Sequence, residues 1–77
     1  MTEKIKACLL KAGIATLPSS ETAGPLENYG LDSLAVVLLV LEIEREFNIR
    51  IPLQWVNSDE FYSIQTIANL ITRLEAP

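Results

Sequence analysis

Seventy-seven residues, 49% of them hydrophobic and 21% charged, describe one small soluble globule with no room for a second core or a deep catalytic cleft. A net charge of -4 and a pI near 4.6 repel polyphosphate backbones, which argues against nucleic acid and for partners with basic surfaces. With no histidine and a single cysteine, Cys8, the chain holds neither a disulfide framework nor a zinc-ligand set.

The N-terminal stretch MTEKIKACLLKAG spreads its charges and lacks a long apolar core, so it reads as neither a signal peptide nor a membrane span. The longest apolar run, residues 34–41, is too short to cross a bilayer. The expectation is a cytoplasmic monomer without membrane insertion. Ile5, Cys8, Leu9 and Ala12 keep the three-four spacing of one helix face, which predicts a helix over 3–13, capped by Thr2 and stopped by Gly13. Cys8 on that face reads as a small core residue rather than a reactive thiol.

From residue 13 to 32 the chain carries Pro18, Ser19, Ser20, Gly24, Pro25, Asn28 and Gly30, the chemistry of a long connection. Leu17, Leu26, Tyr29 and Leu31 can pin it to a core, and a connection this long in so small a domain commonly belongs to the functional face. A second helix is predicted over 33–48, because Pro52 forbids its continuation. Val36, Leu39, Val40, Ile43 and Phe47 form its core stripe. Glu42, Glu44 and Glu46 lie outside that stripe and read as a solvated face, with Glu44 or Glu46 placed to meet a basic partner. Trp55 follows in a loop and reads as a seal against the bundle, with a groove-lining role as the alternative. A single turn is expected at 59–62, then a last helix capped by Ser63 with Ile64, Ile67, Ile71 and Leu74 facing inward. No segment alternates with period two. The fold class is all-α, a small four-helix bundle of three main helices and one short one, with a long first loop, in a single domain over 1–77.

One stretch needs a function. YGLDSLAVVLLVLE places Asp32 and Ser33 directly before an apolar run. A serine nucleophile needs a base, usually histidine, and the chain has none; the G-x-S-x-G elbow is absent as well. Either residue could serve as a helix cap. Capping does not explain Leu34, Val37, Leu38 and Leu41, which fall opposite the core stripe and cannot all be buried in so small a domain. An apolar patch beside a surface serine marks a docking site. Two readings follow: a covalently loaded carrier, or an unmodified helical adaptor that binds through that patch.

The same residues resemble the acyl and peptidyl carrier proteins. The likeness rests on Gly30-Leu31-Asp32-Ser33-Leu34, then Glu44 to Phe47 as Glu-x-x-Phe, then Ile51-Pro52, and the order of predicted elements extends it over nearly the whole chain. The resemblance implies 4′-phosphopantetheine esterified to Ser33, with acyl or aminoacyl groups carried on its thiol as thioesters. It implies a phosphopantetheinyl transferase that attaches the arm from coenzyme A, with Asp32 helping to hold its magnesium ion, and acyl-loading and acyl-transfer enzymes as further partners. The protein would be a substrate of other enzymes, not an enzyme, in fatty-acid, polyketide, nonribosomal peptide or related synthesis. Many fatty-acid carriers have carboxylates where Ala35 and Leu38 stand, so the docking face here is expected to be apolar. The segment after Pro52 is similar to specialised carriers, including those for D-alanine.

Overall fold

The structure is a computed structural model and describes residues 1–20, 22, 24–57 and 59–75. Among these residues it is all-α, with three α-helices: α1 (Thr2–Lys11), α2 (Ser33–Phe47) and α3 (Ile64–Glu75). Two short 3-10 turns, Leu26–Tyr29 and Leu53–Trp55, sit in the connections.

In α1 the expected face is buried: Ile5, Cys8, Leu9 and Ala12 are each at most 5% exposed. The helix begins one residue earlier than predicted, with Met1 at the N-cap position and the Ile5 N–H bonded to the Met1 carbonyl, so Thr2 is its first residue and not its cap. It ends in a Schellman arrangement. Gly13, at φ 102°, donates to the Leu10 carbonyl, and Ile14 donates to that of Leu9. Only a left-handed residue allows both bonds, and glycine adopts it without strain. Ile14, buried beside them, seals the helix end.

Helix α2 buries Ala35, Leu39 and Ile43, with Val36, Val40 and Phe47 half-buried against the same core. Asn48, at φ 53°, terminates it. Helix α3 opens on a reciprocal cap in which the Ser63 hydroxyl accepts the Thr66 N–H at 3.2 Å and the Ser63 N–H donates to the Thr66 hydroxyl at 2.9 Å. It buries Ile64, Ile67, Leu70 and Ile71 completely, while Leu74 is half-buried. Helix α1 packs against both α2 and α3, and the buried residues of the helices and of the first loop form one cluster, to which Leu26 and Leu31 contribute.

The single turn expected at 59–62 is present, but no short fourth α-helix is formed there. Those residues make turns, with the Asn57 side chain accepting the Glu60 N–H and the Asn57 carbonyl accepting that of Phe61. Ser63 must already take up the cap of α3, so too few residues remain to propagate a helix from that turn.

Candidate attachment site and docking face

The approach to α2 is built from one glycine and one carboxylate. Gly30 adopts φ 103°, which reverses the chain after the first 3-10 turn. Leu31 follows, 6% exposed, and its N–H returns to the Leu26 carbonyl. The buried leucine thereby delivers Asp32 to the N-cap position, where one carboxylate oxygen, Oδ1, accepts the Ala35 N–H at 2.9 Å. Ser33 therefore occupies the first helical position. It is exposed, and its hydroxyl makes no hydrogen bond to another described residue. The free amides of the first turn and the positive end of a 15-residue helix lie beside it.

Ser33 stands on the rim of an open groove of about 830 Å³. The start of α2 forms one wall through Val36 and Val37; the loop after Trp55 forms the other through Val56, Asn57, Asp59 and Tyr62. Leu26 and Glu27 also line it, and the Leu26 N–H bonded to the Tyr62 carbonyl at 2.8 Å ties the first loop to the segment before α3. Among the described residues, no lysine or arginine lines the groove.

On the outer side of α2, Leu34 is 69% exposed, Val37 54%, Leu38 41% and Leu41 51%. Ala35 does not share this face: it is buried, because it lies one helical turn before Leu39 on the core side. Of the two positions where carboxylates are common in fatty-acid carriers, only Leu38 is therefore on the surface. Leu53, 85% exposed, extends the face and borders a shallow apolar depression that reaches Val37 and Leu41. Sequence reasoning missed Leu53; a leucine next to Pro52, outside any periodic segment, gives no signal of its own.

Glu44 is not part of a solvated face. It is half-buried, and its Oε2 accepts the Ile51 N–H at 2.8 Å. Pro52 holds Ile51 in extended backbone, so that N–H has no helical acceptor and the carboxylate supplies one. Glu42 instead pairs with Arg45 within the same helix. Trp55 lies outside the groove lining, half-buried against the core with the Arg73 guanidinium over its ring at 4.9 Å. Cys8 is buried, as expected for a core residue. Among the described residues no group of side chains could hold a metal ion, and no helix is long and apolar enough to cross a membrane.

The chain thus offers a helix-start serine to solvent beside a groove, and its sequence holds no histidine to activate it, the arrangement expected of a serine modified by another enzyme. The family comparison agrees: the profile of the phosphopantetheine attachment site matches residues 3–74, and the chain belongs to that family of carrier proteins. Its members are substrate carriers, not catalysts, and hold 4′-phosphopantetheine covalently. They work with a phosphopantetheinyl transferase and with acyl-handling enzymes. No solved structure matches the chain.

Proposed function

We propose that Ser33 carries the 4′-phosphopantetheine arm and that the protein delivers acyl or aminoacyl thioesters, as a cytoplasmic monomer, to enzymes that dock on the apolar face of α2. The observation that carries this reading is the position of Ser33, exposed at the first residue of α2 and on the rim of the groove. A phosphodiester there meets the free first-turn amides and the positive helix end, which favour an anion. The arm supplies the thiol; the chain supplies the attachment point, the surrounding groove and the docking surface. Asp32 contributes in two ways: one carboxylate oxygen caps the helix, and the other, without a hydrogen bond to a described residue, is available to the magnesium ion of the transferase. Leu34, Val37, Leu38 and Leu41, extended by Leu53, form the surface that partner enzymes bury.

The test is intact mass after incubation with coenzyme A, magnesium and a phosphopantetheinyl transferase. One pantetheinyl adduct, mapped to Ser33 and lost in Ser33→Ala, is expected. Because Asp32 provides the cap, Ser33→Ala should change stability by no more than about 0.5 kcal/mol. An adduct on another serine refutes Ser33 as the attachment point, and no adduct at all leaves the unmodified adaptor.

A further inference from the structure

The loop that lines the groove is packed on the core through Trp55 and Val56 and is clasped at both flanks by one side chain from α3. Arg73, near the C-terminal end of α3, lays its guanidinium over the Trp55 ring and donates a hydrogen bond to the Glu60 carboxylate. These two partners bracket the stretch that contributes Val56, Asn57 and Asp59 to the groove, yet Arg73 itself does not line it. The hydrogen bonds within the loop are local: Asn57 gives its amide N–H to the Gln54 carbonyl at 3.2 Å and accepts the Glu60 N–H at 3.0 Å. They shape the loop without tying it to a helix. Beyond Glu60, buried Phe61 and the Tyr62 carbonyl anchor the far end. Trp55 and Val56 pack against the core, and among the described residues Arg73 adds the polar side-chain link from the two flanks of this stretch to α3. The planar fork of arginine suits this double task, since it can stack on an aromatic face and bond a carboxylate at once; the point charge of lysine cannot do both equally well.

We infer that Arg73 is a positioning residue for the phosphopantetheine arm: by holding Val56, Asn57 and Asp59 at the groove, it sets how closely the groove shelters the arm and how readily the thiol is presented. This rests on Ser33 as the attachment point. Wild type, Arg73→Lys and Arg73→Met are compared by three measurements: melting temperature, hydrogen exchange at the Glu60 and Phe61 amides before loading, and alkylation of the arm thiol by iodoacetamide after loading. Cys8, 1% exposed, does not compete for the reagent. Arg73→Met should melt like wild type, since the Arg73 side chain is 51% exposed. Exchange at Glu60 and Phe61 should rise about tenfold in that variant, and the arm thiol should react about threefold faster. Arg73→Lys should fall between. Unchanged exchange in Arg73→Met overturns the clasp, and faster exchange with an unchanged alkylation rate overturns its role toward the arm. If wild type takes no adduct on Ser33, the attachment reading fails and this role fails with it, a result distinct from loading at Ser33 with unaltered thiol reactivity.

Discussion

Asp32 Oδ1 accepts the Ala35 N–H at 2.9 Å, so the residue next to the candidate attachment serine closes the first turn of the helix that presents it. Asparagine caps as well as aspartate, whereas alanine cannot accept that bond. Asp32→Asn should therefore leave stability within a few tenths of a kcal/mol, while Asp32→Ala loses about 1 kcal/mol. Both should slow transferase loading at limiting magnesium, because both remove the negative charge. Denaturation curves and initial loading rates separate the two roles; wild-type loading rates in Asp32→Asn would leave Asp32 with the cap alone.

The Glu44 carboxylate holds the exit from the same helix through Ile51. Truncation leaves a partly buried N–H without its charged acceptor, and Glu44→Ala should cost about 1.5–3 kcal/mol. Glu44→Gln keeps an acceptor and should cost less. Equal denaturation midpoints for Glu44→Ala and wild type would show that water replaces the carboxylate without loss.

Leu38 and Leu53 test how partners dock. Burying a leucine contributes about 1.5–3 kcal/mol, against about 0–1 kcal/mol for an exposed ion pair that salt screens. Leu38→Glu and Leu53→Glu should each weaken binding to the cognate loading or transfer enzyme and leave the melting temperature nearly unchanged, because both side chains already face solvent. Moderate salt should weaken wild-type binding little. Affinity that survives both substitutions yet collapses with salt would make docking electrostatic.

Burial pushes the Cys8 thiol pKa up, and Glu46 and Glu42 add to the rise. The folded chain then binds the thiol proton more tightly than the unfolded chain. This contribution is fully present below the unfolded thiol's pKa and is lost as the pH rises toward the folded value. Between neutral and alkaline pH, wild type should lose more stability than Cys8→Ala, although Cys8→Ala starts about 1 kcal/mol lower. Parallel losses in the two proteins would rule out a contribution from Cys8.

The helices were legible because their apolar spacing is regular and their ends carry strong local signals: Gly13, Asp32, Ser63 and Pro52 each act within a few residues. The exposure of Leu34, Val37, Leu38 and Leu41 followed from the same periodicity, since a short helix apolar on both sides must leave one side uncovered in so small a protein. What escaped depends on contacts across the chain. Glu44 reads as one of several surface acids until Ile51 is placed beside it, and nothing local to Arg73 predicts Trp55 and Glu60 as its partners. Ala35 entered only through the resemblance, which paired it with Leu38 as a partner-facing position, whereas packing puts it in the core.

Part of the groove around Ser33 is a loop, whereas the three helices pack on one another through α1. Loops accept substitution and changes of length more readily than packed helices do. The groove can therefore be re-lined by exchanging residues 56–62 while Phe61, the Tyr62 carbonyl bond and the α3 cap are preserved. A grafting series that transplants this segment between carriers of different cargo onto one unchanged set of helices would separate recognition of the thioester from recognition of the protein surface, and would make the loop a handle for redirecting the carrier.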